Sequence, residues 1–308
     1  MNGFLNLLKP PGMTSHDVVD TVRKQLPGVK VGHGGTLDPG AAGVLPLLLD
    51  NATKLSPYIL EFPKVYRAEL YLGIITDTAD SFGNITGRGQ PPIYGKDELA
   101  EYISSFIGEI EQIPPMYSAV KSKGKKLYEY ARRGQEVERP SRKVKIYDIR
   151  VISYFPPERI IIDVKCSSGT YIRSLCEEIG KALGCGGHMS FLVRTASGVF
   201  RLAQSKSLEE LAGLIRAEEI ENVLLPADFP FRGDKKKVYL STNLLQQLFS
   251  EKILSLEQLL AGEAVSMPDP VDGKIMAVYT TEGEFAALTR WIIVDNNSLL
   301  KLEKKWKP

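Results

Sequence analysis

Apolar positions recur along this chain with two spacings, and each predicts a different element. In "TSHDVVDTVRKQL", Val18, Val19, Val22 and Leu26 form one stripe, which predicts a helix that Thr14 or Ser15 can cap. "DELAEYISSFIG" repeats that spacing. So does "TYIRSLCEEIGKALG", where Ile172, Leu175, Ile179 and Leu183 are in register and Gly184 can end the helix. In "VYRAELYLG" the period is two: Tyr66, Ala68, Leu70 and Leu72 share one face, and Val65, Arg67, Glu69 and Tyr71 the other. That alternation predicts a strand, and "RIIIDVKCS" predicts another. "VLPLLL", residues 44–49, is apolar throughout but short, and predicts a buried segment. Helices and strands mix without strict βαβ alternation, so the expected fold class is α+β with a mixed sheet.

Near Pro226 the texture changes. "LLPADFPFRGDKKK" is rich in proline and charge and predicts a domain boundary. Beyond it the short runs "AVSMP", "KIMAVYT" and "EFAALTRWIIV" alternate with turn signals, which predicts a small, mostly β domain over 233–308 after a larger one over 1–232. A length of 308 residues suits two domains. No apolar window reaches the ~18 residues of a membrane helix, and the N-terminus lacks the basic start and apolar core of a signal peptide. The three cysteines, Cys166, Cys176 and Cys185, are odd in number and widely spaced. They argue against a disulfide framework or a zinc site and fit a reducing cytoplasm.

The net charge is only +2, so total charge points to no partner, but its distribution does. Residues 114–145 hold ten Lys or Arg against three Glu, so the rest of the chain nets −5. Tyr117, Tyr128 and Tyr130 are interleaved. Such a segment is either a solvated charged surface or a grip on RNA phosphates with rings for stacking. On the second reading Lys121, Lys123, Lys125, Lys126, Arg132 and Arg133 bind RNA.

"GHGGTLDPGAAG", residues 32–43, is the densest run of glycine. It is not a P-loop, because no lysine follows the glycines, and it misses the last glycine of a dinucleotide fingerprint. Pro39 drives Asp38 toward an extended backbone, and the apolar run that follows anchors the loop. The loop can therefore hold one carboxylate at the floor of a cleft, although Asp-Pro-Gly also makes an ordinary turn. Arg173 falls in the first turn of its helix, where the dipole disfavours a cation. It needs an anion opposite, or it reaches back into water. Tyr66, on an apolar strand face, reads as core packing or as an active-site ring.

Six ordered stretches, from "LLKPPGMTS" through "GHGGTLDPGAAGVLP", "ATKLSPYIL", "KVYRAELYLGIITDTAD" and "QIPPMYSAVKSKGKKLYEYARRG" to "CSSGTYIRSLCEEIGKALGCGGHMSFLVRTASGVF", resemble the bacterial TruB family. That family makes pseudouridine 55 in tRNA, and the match covers most of residues 3–230. The resemblance implies a mainly antiparallel sheet of the pseudouridine synthase fold and, by position and strand texture, a C-terminal PUA-like domain. It implies that Asp38 is the catalytic carboxylate, that Arg173 pairs with it and that Tyr66 is the active-site tyrosine. Tyr171, Leu192, His33 and Asp80 would contact the substrate, with Leu192 lining the uracil pocket and His33 beside the flipped nucleotide. The implied substrate is the T-stem-loop of tRNA. No cofactor, metal, membrane or protein partner is implied, and a cytoplasmic monomer is expected.

The family usually has Thr where Gly34 stands, Leu-Ala-Thr where Gly40, Ala41 and Ala42 stand, and Gly-Glu-Ala-Thr where this chain has "DNAT". Either of two chemistries suits a buried carboxylate here: attack on C1′, or removal of the C2′ proton to a glycal. An arginine beside Asp38 is expected to keep it ionised by lowering its pKa. Three other readings compete: an RNA-binding protein without catalysis, a glycoside hydrolase with Asp80 as second carboxylate, and a pseudouridine synthase with a different target.

Overall fold

The computed structural model spans residues 1–308. It describes all of them except 117–120, 123–124, 128–129, 131–133, 136, 234–236, 263–266 and 307–308, and the side chains of 121–122 and 125–126. Two compact units emerge. The larger comprises Leu5–Leu48 and Thr53–Val223; the smaller comprises Met1–Phe4, Leu49–Ala52 and Leu224–Pro308.

The larger unit is built on strands β1 (Gly3–Lys9), β2 (Val31–His33), β3 (Ala42–Leu49), β4 (Lys64–Leu72), β5 (Ile74–Thr76), β6 (Ile85–Arg88), β7 (Gly108–Gln112), β8 (Lys121–Ser122), β9 (Lys125–Lys126), β10 (Arg142–Phe155), β11 (Arg159–Cys166), β12 (Gly187–Ser197) and β13 (Phe200–Arg201). Its helices are α1 (Ser15–Gln25), α2 (Ser56–Leu60), α3 (Lys96–Ser104), α4 (Ile172–Ala182) and α5 (Leu208–Arg216). One sheet runs β1-β3-β12-β4-β11-β10-β7, with β2 on β3 and β13 on β12. β4, β11, β10 and β7 pair antiparallel, as do β4 and β12, whereas β3 and β12 are parallel. The mixed, mainly antiparallel sheet is thus the one the sequence and its resemblance implied.

Local chemistry explains the elements that frame the centre. Thr14 caps α1 and forms a reciprocal pair with Asp17, which satisfies two free amides at the helix start. Leu183 caps the end of α4, and Gly184 after it takes φ +75°, as its sequence position predicted. On β4, Ala68, Leu70 and Leu72 are buried in a core with Ile172, Leu175, Cys176 and Ile179 of α4. All of 44–49 is buried. Opposite β4, register places Arg194 against Tyr66 and Leu192 against Ala68. The parallel junction aligns Ala42 with Val193 and Gly43 with Arg194. Gly43 has φ +120°, and a Cβ there would lie 2.3 Å from the Arg194 carbonyl oxygen. The strand leaving the glycine loop can approach β12 this closely only without a side chain.

In the smaller unit Gly3 and Phe4 pair with Pro226 and Leu225, the latter two forming β14 (Leu225–Pro226). A five-stranded sheet runs in the order β15 (Lys237–Leu240), β17 (Ile275–Thr280), β18 (Phe285–Val294), β19 (Asn297–Lys305), β16 (Ile253–Ser255). The runs "KIMAVYT" and "EFAALTRWIIV" form β17 and β18 as expected, while "AVSMP" lies partly outside the described residues. The sequence reading passed over α6 (Thr242–Glu251) and α7 (Leu256–Ala261), which pack Leu244, Leu248 and Leu259 onto Trp291 and Leu300. All three cysteines are buried and free, and burial pushes the thiols of Cys166 and Cys176 up to about 12. No helix among the described residues is long and apolar enough to cross a membrane.

Candidate active site

The glycine loop joins β2 to β3, and buried groups hold it from both sides. Ser15, the first residue of α1, accepts a hydrogen bond from the Leu37 amide at 2.9 Å. Lys9 is fully buried, and its Nζ donates to the carbonyls of Pro10, Pro39 and Ala41 at 2.8, 3.2 and 2.7 Å. Arg194, also buried, donates to Gly35, Thr36 and Val44 carbonyls at 3.0, 3.3 and 2.8 Å. The effect is to fix the backbone on both sides of Asp38 while its carboxylate stays 39% exposed.

Across from Asp38 lies Arg173, the second residue of α4 and only 3% exposed. Its Nε is 2.9 Å from Asp38 Oδ2, and its Nη1 is 3.6 Å from Asp80 Oδ2. Two carboxylates therefore face the cation that the helix dipole disfavours. Asp80 is itself tied down, accepting from Thr78 Oγ1 at 2.6 Å and from the Phe82 amide at 3.0 Å. Removal from water raises the Asp38 pKa above its ordinary 3.8, with Arg173 opposing and the Asp80 charge adding to the rise. The sequence expectation of a lowered pKa is corrected: desolvation outweighs the guanidinium.

Asp38 and Arg173 stand at the junction of two openings. The first, about 230 Å³, is lined by Tyr66, Tyr171, Leu192, Lys64 and Arg194 as well as the pair. Burial raises the Tyr66 phenol pKa, while the positive charge of the nearby Arg194 pulls the other way. Tyr171 precedes α4, and the buried Gln112 clamps its backbone by accepting from its amide at 3.0 Å and donating to its carbonyl at 3.2 Å. The second opening, about 850 Å³, holds Asp80, Phe82, Met189 and Phe191 and shares Asp38, Arg173 and Leu192 with the first.

The structure thus gathers Asp38, Tyr66, Tyr171, Arg173 and Leu192 around one small pocket and puts Asp80 on its far side. His33 lines neither opening; its Nδ1 accepts from the Gly35 amide at 3.3 Å, and burial lowers its pKa. Lys123, Arg132 and Arg133 lie outside the described residues, as do the side chains of Lys121, Lys125 and Lys126, whose backbones form the β8–β9 pair. Among the described residues no group of three or more His, Cys, Asp or Glu could hold a metal ion.

The profile of the TruB family pseudouridylate synthase N-terminal domain matches residues 23–172, and that of the tRNA pseudouridylate synthase B C-terminal domain matches 173–232. The tRNA pseudouridine synthase B of Alkaliphilus oremlandii (strain OhILAs) is 50% identical over 285 residues, covering 92% of this chain and 91% of its own. The chain belongs to the TruB family. A second TruB relative, the tRNA pseudouridine synthase B of Caldanaerobacter subterraneus subsp. tengcongensis, is 44% identical over 288 residues, 94% of each chain. Among solved structures, a chain of a Cbf5-Nop10-Gar1 complex matches with TM-score 0.75 and 28% identity over 99% of this chain and 84% of that one. A chain of an H/ACA RNP bound to a substrate RNA containing 2′-deoxyuridine matches with TM-score 0.72 and 26% identity, over 99% and 85%.

Sequence reasoning missed Lys9, Gln112 and Arg194, which touch the loop and helix that carry the TruB motifs. Burial brings Lys9 and Lys64 down to about 8 from 10.5. Between those values the unfolded chain binds more protons than the folded one, so each lysine's contribution to stability grows as pH rises through that window and is lost as pH falls through 8. Lys9→Met should cost about 1–3 kcal/mol at neutral pH, because buried carbonyls lose their donor. The gap from the parent should widen between pH 7.5 and 10, as read by chemical denaturation at each pH.

Proposed function

We propose that this chain isomerises uridine 55 in the T-arm of tRNA to pseudouridine, acting in the cytoplasm as a monomer without a protein partner. The observation that carries the reading is the Asp38–Arg173 pair, fixed at the mouth of a pocket sized for one base in a chain of the TruB family. A stacked base cannot reach such a carboxylate, so the uridine is flipped out of the RNA loop. The N1–C1′ bond breaks, the uracil turns, C5 bonds to C1′, and the C5 proton is lost as N1 gains one. Asp38 acts on C1′ as nucleophile or on the C2′ proton as base; both need its ionised form. Tyr66 stacks on the uracil, and Arg194 beside its oxygen favours charge there during C5 deprotonation. Leu192 and Tyr171 wall the pocket, and His33 steadies the loop near the vacated stack.

The basic segment, with Lys121, Lys123, Lys125, Lys126, Arg132 and Arg133, grips phosphates and offsets the few kcal/mol of unstacking. Residues 233–308 act as a PUA-like RNA-binding domain after a catalytic domain over 1–232. A hydrolase reading is disfavoured: Asp80 is engaged by Thr78, Phe82 and Arg173 rather than free to act as a second acid. The test is modification mapping of tRNA from a strain lacking this gene. Uridine at 55 that becomes pseudouridine when the gene is restored supports the proposal. A pseudouridine at 55 in the deletion strain refutes the substrate.

A further inference from the structure

Beside the uridine pocket, the wider 850 Å³ opening carries two large exposed rings. Phe82 is 79% exposed and Phe191 52%. Exposed aromatics beside a polar centre are more than scattered surface residues. The Phe82 ring lies over Gly40, two residues from Asp38: a Cβ on Gly40 would come within 2.1 Å of it. The ring of Phe82 fills the space that a side chain at Gly40 would take.

Backbone and side-chain bonds tie the segment that carries Phe82 to the strand that carries Phe191. Phe82 lies within a turn in which Asp80 accepts from the Phe82 amide and Asp77 from the Asn84 amide, with Ala79 at φ +56°. That turn is tied to β12, the strand of Phe191, by Met189 N to Ala79 O at 3.0 Å and Ser81 Oγ to Ser190 O at 3.3 Å. A left-handed alanine persists only where its surroundings hold it. Asp80 also faces Arg173 at 3.6 Å, so one carboxylate joins the ring-bearing turn to the centre of the site.

Resting on the function proposed above, we propose that Phe82 and Phe191 form a stacking ledge for the unpaired base next to the reacting uridine. A nucleotide whose uracil occupies the small pocket is covalently joined to neighbours that must leave past Asp38, and the larger opening begins there. Rings stack on any base, so the ledge adds affinity and aligns the strand. It is a positioning device, since neither ring touches the reacting atoms.

The test uses full-length protein and labelled T-stem-loop RNA, intact or abasic at the nucleotide on either side of the target, with Kd read by fluorescence anisotropy. The expected result is that an abasic substitution on one side weakens parent binding about 10-fold, while Phe82→Leu and Phe191→Leu bind intact RNA about 10-fold more weakly and are then almost indifferent to the missing base. Leucine still covers Gly40, so unchanged melting temperatures separate stacking from folding. Phe82→Tyr should restore the parent response. An equal abasic penalty in the parent and in both leucine variants overturns the ledge. Turnover is scored separately on intact RNA: a parent that binds with this coupling but makes no pseudouridine refutes the function and leaves the ledge standing.

Discussion

Asp38→Asn binds T-stem-loop RNA about as tightly as the parent and forms pseudouridine at least about 10⁴-fold more slowly. The amide keeps the size of the carboxylate and can still face Arg173, so the loop held by Lys9, Ser15 and Arg194 is undisturbed. What is lost is the charge and the lone-pair chemistry that either route requires. Binding survives because phosphate contacts and stacking lie elsewhere. Single-turnover rates measured beside a binding isotherm on the same RNA separate the two. A variant as active as the parent would remove Asp38 from the chemistry, whereas joint loss of binding and turnover would make it a structural residue.

Arg173→Leu has the second-largest effect, on stability and turnover together. It leaves Asp38 and Asp80 facing each other across an apolar side chain. Breaking a fully buried pair costs about 3–5 kcal/mol; because Asp38 is partly open to water, about 2–3 kcal/mol is expected here. The variant also loses the influence that opposes desolvation, so the Asp38 pKa climbs further and less of the reactive form exists at neutral pH. Arg173→Lys should recover part of both, since a point charge replaces the fork. Urea denaturation checks the first effect and single-turnover rates the second; unchanged values in Arg173→Leu would contradict both.

The parts legible in the sequence were those that periodicity or a backbone rule controls. α1, β4 and α4 follow from apolar spacing, and Thr14 and Gly184 from the chemistry of helix ends. Arg173 was legible as a misplaced charge, because a helix dipole demands an anion that the sequence must supply somewhere. Lys9, Arg194 and Gln112 were not legible. Their partners are backbone groups, which carry no residue signal, and Gln112 reaches Tyr171 across 59 residues. The direction of the Asp38 pKa was not legible for a related reason: a sequence shows the neighbouring charge but not the water removed by packing. Phe82 gave no signal because the contact that explains it, with Gly40, arises only when the turn after β5 folds back over the glycine loop. In the smaller unit, turn signals drew attention to strands while the leucine stripe of α6 went unread.

Asp38 must be ionised to react, and its proton affinity is raised by burial and restrained by Arg173. The most direct measurement is the single-turnover rate of pseudouridine formation as a function of pH, for the parent and Arg173→Lys under saturating RNA. The prediction is an acid limb from one ionisation, with a midpoint above 3.8 in the parent and higher still in the variant. A parent midpoint at or below 3.8, or one that the substitution does not move, would contradict it.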